Sequence, residues 1–484
     1  MSKLKQGMNI PVVGLLLMST AFASPAVADS TIFKSPNGIQ EVCEIPARMP
    51  GAVYRENDLR QEQAFCRIDF YDGKTALCPK VFSTSPGTLV YDIGHAEFSG
   101  KAAEFEAQQC KTSSPVKRGA SGKPVSYKMT MNQPGTSGTF STASLLYYHF
   151  SRYFNADVFV PVSVYRSMDK DIHRQRVSSP GLKLSAGKRS SRMNHTGWKV
   201  LHDAEKSPSQ YKPTSELFTP DRKQVYGVML SPHGDRYGVE INGTRESGWG
   251  NGQNYDFQKT APFSALRSDK PLEQAIEAGI EAASENRLLQ KSLQAGVSSE
   301  QMVYWMKELT EITLLDYIFS QQDRIGNIDY LKYWYWSENG QIKSRPAHGS
   351  QLPDDLKGKH AVLLKRTQLN DNDAGGRLAY ANFTKKTRML EGIRHYSADT
   401  YRRLLQLDND LQSQNELYQY IASTFQMSGR LSDRQMQQIV KNTRLATDIL
   451  QKSCEAGKLR FDLDPETYFI TGKSETQTLD CRNP

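Results

Sequence analysis

The chain has 484 residues, of which 38% are hydrophobic and 23% are charged, a balance typical of globular proteins. This composition excludes a disordered or collagen-like chain and allows a sizeable buried core. The formal net charge of +9 is moderately basic. Such a charge suits acidic or phosphate-bearing ligands, and it equally serves solubility alone.

The first 28 residues have the pattern of a secretory signal peptide. Lys3 and Lys5 precede the apolar run 11–18, and small residues then lead to an expected cleavage site after Ala28. Cleavage there would lower the net charge from +9 to +7, because it removes two lysines and no acidic residue. No window approaches the roughly 18 apolar residues of a membrane span. The sequence therefore predicts a secreted or periplasmic protein without a transmembrane segment.

The cysteines indicate disulfides. All six lie after position 28, an even number in a chain expected to enter an oxidising compartment. None has the CxxC spacing of a zinc site or a redox pair. We expect the first four to pair among themselves and Cys454 to pair with Cys481; the first four are Cys43, Cys66, Cys78 and Cys110.

The first half of the chain is strand-rich. Residues 29–87 form a turn-rich, cysteine-bearing N-terminal extension. Hydrophobic patterning then predicts strands at 89–93 and 125–131, a helix over 139–154 and a strand at 158–165. These predicted elements make up the first part of the strand-rich half.

A polar segment, 170–223, follows. It carries a basic run without the interleaved aromatic residues of a nucleic-acid groove, so we expect a solvated insertion and no nucleic-acid partner. A polyanion-binding arm is the alternative. Two further strands, at 225–230 and 237–241, are predicted on either side of a turn.

The second half is helical, with helices predicted over 271–292, 299–320, 399–424 and 432–455. Ser432 and Gln435 have the spacing of a capping box at the start of the last helix. Strands followed by helices indicate an α+β protein with two lobes.

One loop after a predicted helix suits phosphoryl transfer. It contains Asp323 and Asn327, four residues apart, and the strand 330–336 follows it. The aspartate could accept the proton of an attacking hydroxyl, and the asparagine could hold a metal that bridges phosphates. A plain polar turn is the structural alternative.

A second acidic loop follows the predicted strand 361–364. Asp371 and Asp373 lie in the run Leu-Asn-Asp-Asn-Asp-Ala-Gly-Gly. Carboxylates there could bind Mg²⁺ or Mn²⁺, which prefer oxygen ligands. A calcium loop of EF-hand type is excluded because its twelfth position is Asn382 rather than glutamate.

Together these segments resemble the atypical secretory-pathway kinases, the Golgi casein kinase and proteoglycan xylosylkinase type. The loop Asp-Arg-Ile-Gly-Asn also resembles the catalytic loop of phosphoinositide kinases. Upstream, Tyr127-Lys128, the segment 145–154 and Val160-Pro-Val162 are similar to the family's lysine strand, the helix after it and its proline-bearing strand. The resemblance covers residues 88–455 in the same order.

The resemblance implies a two-lobed atypical protein-kinase-like fold. Its N-lobe would span 88–245, with the insertion 170–223, and its helical C-lobe would span 246–484. Lys128 would contact the nucleotide phosphates. Asp323 would be the catalytic base, Asp371 the principal metal ligand, Asn327 a second ligand and Asp373 a further one.

The function expected from this resemblance is metal-dependent transfer of phosphate from ATP or another nucleotide to a hydroxyl of a protein or glycan acceptor. Nucleotidyl transfer would use the same residues. The family's helix after the lysine strand carries a glutamate that pairs with the lysine, and Ser144 stands there in this chain. A pseudokinase that acts as a scaffold is therefore an alternative.

A third hypothesis is a polyanion- or glycan-binding envelope protein. The basic run 174–199 and the aromatic residues within 330–336 suggest it. The alternation of those aromatic residues favours a buried strand instead.

Overall fold

The structure is a computed structural model that describes residues 29–483, apart from 96, 113, 115, 187–191, 294–295, 380 and 427–428. The expected signal peptide, residues 1–28, lies outside the described residues. Three disulfides join Cys43 to Cys66, Cys78 to Cys110 and Cys454 to Cys481. The pairing expected from the sequence is confirmed, and the disulfides are consistent with an exported protein.

A seven-stranded antiparallel sheet dominates the first half of the described chain. Its strands lie in the order β1-β2-β6-β7-β5-β4-β3. Residues 29–87 contribute strands to both of its edges. The strands are β1 Asp29–Lys34, β2 Gln40–Ile45, β3 Thr75–Pro79, β4 Thr88–Asp92, β5 Ser121–Met129, β6 Ser163–Asp169 and β7 Gln224–Leu230.

Helix α3 packs against this sheet and is buried along its whole length. Two of its polar residues pair with acidic residues of α1: Arg152 donates to Asp58, and the Tyr148 hydroxyl donates to Glu62. The N-terminal segment is thereby joined to the core of the sheet. The helices of this half are α1 Glu56–Cys66, α2 Ala102–Gln109, α3 Ser141–Tyr153, α4 Lys170–His173, α5 Ser179–Ser185 and α6 Arg192–Lys206.

The second half is helical around the long, buried helix α12 (Ser299–Phe319). This helix contacts α3, α9 (Ala261–Leu266), α16 (Asp433–Glu455) and β11 (Val362–Leu369). A four-stranded sheet lies beside it, in the order β10-β9-β11 with β8 paired to β9. Its strands are β8 Asp235–Arg236, β9 Ile328–Glu338, β10 Gln341–Pro346 and β11 Val362–Leu369.

The remaining helices complete this half, and α16 begins with the predicted capping box of Ser432 and Gln435. They are α7 Val239–Asn242, α8 Asn251–Phe257, α9 Ala261–Leu266, α10 Leu272–Ser284, α11 Arg287–Leu293, α12 Ser299–Phe319, α13 Phe383–Lys386, α14 Ala398–Gln412, α15 Glu416–Ile421, α16 Asp433–Glu455 and α17 Pro465–Thr471.

Several local expectations were wrong. The helices predicted over 271–292 and 399–424 are each divided in two, into α10 and α11 and into α14 and α15. The described part of segment 170–223 is not a solvated insertion: it contains α4, α5 and α6, and buries Val177, Trp198 and Leu201 in the main core. Its many charges obscure the few apolar residues that anchor it. The strand expected at 237–241 is absent from the described structure, where the short helix Val239–Asn242 follows β8.

The described chain is thus a mixed α+β structure, with a strand-rich N-terminal sheet and a helical C-terminal region. No helix among the described residues has the length and apolar character that crossing a membrane requires.

Candidate functional site

Lys128 connects the two halves of the chain. It lies on β5, in the interior of the large sheet. Because neighbouring residues of a strand point to opposite faces of the sheet, its side chain lies on the face opposite to that of Tyr127. Its Nζ donates to Oδ1 of Asp371 at 2.6 Å and to Oδ1 of Asp373 at 2.9 Å. Both carboxylates belong to the loop after β11, 243 and 245 residues further along the chain.

The ion pairs shift the pKa values of Lys128 and Asp371 in opposite directions. Burial alone would lower the pKa of Lys128, but Asp371 and Asp373 outweigh it and raise that pKa above its usual value. Burial likewise opposes the charge of Asp371. The cations Lys128 and Lys80, together with His233, nevertheless hold the pKa of Asp371 well below its usual range. An anionic ligand that approaches Lys128 must therefore compete with two carboxylates.

The loop that carries the carboxylates is fixed against the start of α3. Asp371 has a φ of 48°, in the left-handed region that Asp and Asn tolerate better than most residues. Its backbone N–H donates to Oδ1 of Asn370 at 2.7 Å. The Asp373 carbonyl accepts from the backbone N–H of Phe140, the N-cap residue of α3, at 2.7 Å.

Asp323 and Asn327 lie together in the loop between α12 and β9. The backbone N–H of Asp323 donates to the Gln321 side chain at 3.0 Å, and Nδ2 of Asn327 donates to the Asp323 carbonyl at 2.7 Å. Burial and the charge of Asp371 raise the pKa of Asp323, although the side chains of Trp249 and Asn327 oppose this. The predicted base therefore lies within electrostatic reach of the predicted metal ligand.

Arg324 holds these two loops together. Its guanidinium forms a bidentate ion pair with Asp316 of α12. Nε donates to Oδ2 and Nη2 donates to Oδ1, each at 2.9 Å. It also donates to the Asn370 carbonyl at 2.6 Å and to Oδ1 of Asn372 at 2.9 Å. The Tyr147 hydroxyl of α3 donates to Asp316 at 2.7 Å. One buried arginine thus links the loop of Asp323, the loop of Asp371 and α3.

Arg236 of β8 engages the predicted second metal ligand. Its Nη1 donates to Oδ1 of Asn327 at 2.8 Å, and its Nε lies 2.5 Å from Oδ1 of Asp329. Burial raises the pKa of Asp329 even though Arg236 lowers it. The amide oxygen of Asn327 therefore already accepts from an arginine, and a cation that it bound through its second lone pair would lie beside that positive charge.

A cavity of about 530 Å³ adjoins Asp371. It lies between the β3–β4 turn, β5, the link from β7 to β8, the start of β9 and the loop of Asp371. Its lining combines apolar walls with three cationic side chains, one histidine and three carboxylates, which suits a ligand with both an apolar part and a charged part. The apolar residues include Leu89, Val116, Pro124 and Pro232; the charged or titratable ones are Lys80, Lys123, His233, Asp235, Arg236, Asp329 and Asp371.

The carboxylates suit a cation that is bound together with phosphates. Among the described residues, no group of three or more His, Cys, Asp or Glu side chains could hold a metal ion. Mg²⁺ at phosphoryl-transfer sites is usually bound by one or two carboxylates plus the substrate phosphates. Asp371 and Asp373 each use Oδ1 for Lys128, so their second oxygens are the available donors. This donor set fits Mg²⁺ or Mn²⁺ whose remaining ligands are oxygens from outside the protein.

Ser144 takes no part in the lysine cluster. It is buried, and its hydroxyl has no hydrogen-bond partner in the described part of the chain. Glu106, a nearby carboxylate in the sequence, instead pairs with Arg176 and accepts from the backbone N–H of Leu77. Both carboxylate partners of Lys128 therefore come from the loop after β11 and neither comes from α3.

Sequence reasoning missed several side chains of the cavity, notably Lys80, His233, Arg236 and Asp329. The turn containing His233 was recognisable as a turn, and Asp329 closely follows the Asp323 loop. Nothing in the sequence around Lys80 indicates a ligand. The cavity forms from segments distant in the chain, so spacing carries little information about it.

Neither a protein-family model nor a curated protein sequence matches this chain. The functional interpretation therefore depends on the geometry of the site.

Proposed function

We propose that this protein is an exported, kinase-like phosphotransferase that moves phosphate from ATP or another nucleotide to a hydroxyl of a protein or glycan, with Mg²⁺ or Mn²⁺. The observation that carries the proposal is the charge cluster of Lys128, Asp371 and Asp373, with Asp323 within its electrostatic reach and a cavity beside it. A sheet lysine pairs with two carboxylates of one loop, and the charge of Asp371 acts on Asp323 of a second loop. This combination of groups suits phosphoryl transfer.

The arrangement of elements supports a two-lobed kinase-like fold. Lys128 lies on the third strand from the β3 edge of the sheet, followed in the chain by α3, β6 and β7. Protein kinases also place the phosphate-binding lysine on the third strand and cover the phosphates with the turn of a neighbouring hairpin. The β3–β4 turn lines the cavity, and in the proposed fold it would be the turn that covers the phosphates.

Each residue has a distinct role in the proposed reaction. Lys128 would bind phosphate oxygens, and the free oxygens of Asp371 and Asp373 would hold the cation. When bound, the cation would neutralise charge on the phosphates. Asp323 would accept the proton of the acceptor hydroxyl as its oxygen bonds to the terminal phosphorus. The bond from that phosphorus to the bridging oxygen breaks, and the nucleoside diphosphate leaves.

A pseudokinase is the second candidate, and two observations favour it. Ser144 replaces the expected glutamate, and the amide oxygen of Asn327 is bound to Arg236. Such a protein would keep the cavity and bind a nucleotide without transferring phosphate.

The test is transfer of label from γ-³²P ATP with Mn²⁺ or Mg²⁺, using residues 29–484 and two acceptors, a serine-rich protein and a xylose-ended glycan. We expect Asp323→Asn to lower transfer by about 10²- to 10⁴-fold, the usual contribution of a general base. Asp354→Asn is the matched control, because that carboxylate is 92% exposed and lies on a distant turn.

Transfer that is unchanged in Asp323→Asn would refute the role of this residue as base. Nucleotide binding without transfer to either acceptor in the wild-type protein would favour the pseudokinase.

A further inference from the structure

Lys80 is a basic residue of the cavity that neither the motif nor the resemblance identifies. It follows β3 directly, and its backbone N–H donates to the Gly87 carbonyl at 2.8 Å, so it lies at the base of the β3–β4 turn. Its side chain lines the cavity, together with Phe82 and Ser83 of the same turn.

The ammonium group of Lys80 has no carboxylate partner among the described residues. The nearby carboxylates Asp371 and Asp373 both bond to Lys128 instead. Burial and the charge of Lys128 lower the pKa of Lys80. A cation that is partly removed from water without a partner is unfavourable in the ligand-free protein.

His233 lines the same cavity from the link between β7 and β8. Both of its ring nitrogens are buried and have no hydrogen-bond partner in the described structure. Burial, Lys80 and Lys128 lower its pKa to about 3, so the ring is neutral near pH 7 and can donate one hydrogen bond. The cavity thus presents an unpaired ammonium group and an unpaired imidazole.

The β3–β4 turn also lacks the glycines with which protein kinases cover phosphates. Their Gly-rich loop lets the backbone approach the phosphate chain. Here the turn runs Lys-Val-Phe-Ser-Thr-Ser-Pro-Gly, with Gly87 as its only glycine. A long basic side chain at the base of the turn can reach a phosphate that this backbone approaches less closely.

We propose that Lys80 is a second phosphate-binding lysine, which binds the phosphate chain of a nucleoside di- or triphosphate in the cavity, with His233 as a hydrogen-bonding neighbour. This inference rests on the proposed function. Lys128 is held by two carboxylates, whereas Lys80 is free to bind the incoming anion.

The experiment is calorimetric titration of ATP, ADP and adenosine, each with Mn²⁺, into the wild-type protein and Lys80→Met. We expect Lys80→Met to weaken ATP and ADP binding by about 10- to 100-fold, the usual effect of a lost hydrogen bond to a charged group. Adenosine binding should not change, and Lys80→Arg should keep most of the affinity for ATP. Lys34→Met, which removes an exposed lysine from β1 of the same sheet, is the matched control and should bind ATP like the wild-type protein.

The thermal unfolding midpoint separates a binding role from a structural one. Lys80→Met removes an unpaired, desolvated charge, so the midpoint of the ligand-free protein should stay the same or rise. A fall in the midpoint, together with an equal loss of ATP and adenosine binding, would show a structural role and overturn the inference.

Two other outcomes are distinguishable. If Lys80→Met binds ATP as tightly as the wild-type protein while Lys128→Met does not, this inference is wrong and the proposed function stands. If the wild-type protein binds neither ATP nor ADP, the proposed function is wrong and this inference is wrong with it.

Discussion

Single buried side chains determine how the two site loops are held. Arg324 bonds to Asp316, to the Asn370 carbonyl and to Asn372, and is itself 5% exposed. A buried ion pair contributes little net stability by itself, but removal of one partner leaves the other charge buried and unpaired. The residue next to the predicted base is therefore important for the geometry of the site.

Arg324→Met should lower the free energy of unfolding by about 3 to 5 kcal/mol, the range observed when a buried pair loses one partner. Urea denaturation measures this loss. The double variant Arg324→Met/Asp316→Asn should recover part of it, because it removes the stranded carboxylate charge. A double variant less stable than the single one would contradict this explanation.

His149 of α3 makes stability sensitive to acid. It is fully buried, and Nδ1 is hydrogen-bonded to the Tyr54 hydroxyl at 2.6 Å. Burial, with the neighbouring charges Arg48 and Arg152, lowers its pKa from 6.5 to about 3. Between these two values the unfolded chain binds more protons at this position than the folded one. Stability is therefore lost as the pH falls through this window, by about 1.4 kcal/mol per pH unit.

His149→Gln should reduce the slope of unfolding free energy against pH by about 1.4 kcal/mol per unit in the middle of that window. Urea denaturation at several pH values checks this prediction. The same slope in the variant and in the wild-type protein would show that His149 does not control the acid response.

Some of the site residues could be predicted from the sequence, and others could not. Asp323 and Asp371 follow predicted elements in short polar loops, so their position at the ends of those elements could be inferred. Lys128 could be placed on a strand, but its pairing with Asp373 depends on a contact between residues 245 apart. Lys80 and His233 were missed because only tertiary folding brings their segments together.

At the scale of elements, strongly periodic segments were predicted well. Strand β5, helix α3 and helix α16 lie where their patterns indicated. Segment 170–223 was misjudged because tertiary packing, rather than local polarity, decides whether a helix with few apolar residues is buried.

Residues 29–87 also have more structure than their turn-rich sequence suggested. They supply β1, β2 and β3 of the sheet, and α1 supplies Asp58 and Glu62 as partners for α3. Without them, the guanidinium of Arg152 would lose its carboxylate while it remains in the core.

A chain that begins at residue 88 should therefore fail to fold, whereas residues 29–484 should fold when exported under oxidising conditions. Size-exclusion chromatography and circular dichroism of the two chains make the comparison. A monomeric, cooperatively unfolding chain from residue 88 would contradict the integral role of these strands.

For the whole molecule, the described α+β arrangement brings a strand-rich half and a helical half together at one charged cluster. The coarse order, with strands in the first half and helices in the second, was predictable because local patterns indicate it, whereas the elements of 29–87 and 170–223 were missed. The cavity between the halves was not predictable, since it depends on how the β3–β4 turn and the β7–β8 link approach the two loops.

The most direct test of the central claim is the thermal unfolding midpoint of residues 29–484 with ATP and Mn²⁺, compared with Asp371→Asn. Asparagine also tolerates a φ of 48°, so this variant should keep the fold, and Asp354→Asn again serves as control. A ligand at about 100 times its dissociation constant should stabilise the folded protein by about 2.7 kcal/mol. We predict a metal-dependent rise in the midpoint for the wild-type protein and the control that is lost in Asp371→Asn. An equal rise in all three proteins, or none in the wild-type protein with any nucleotide, would contradict a metal-dependent nucleotide site at this cluster.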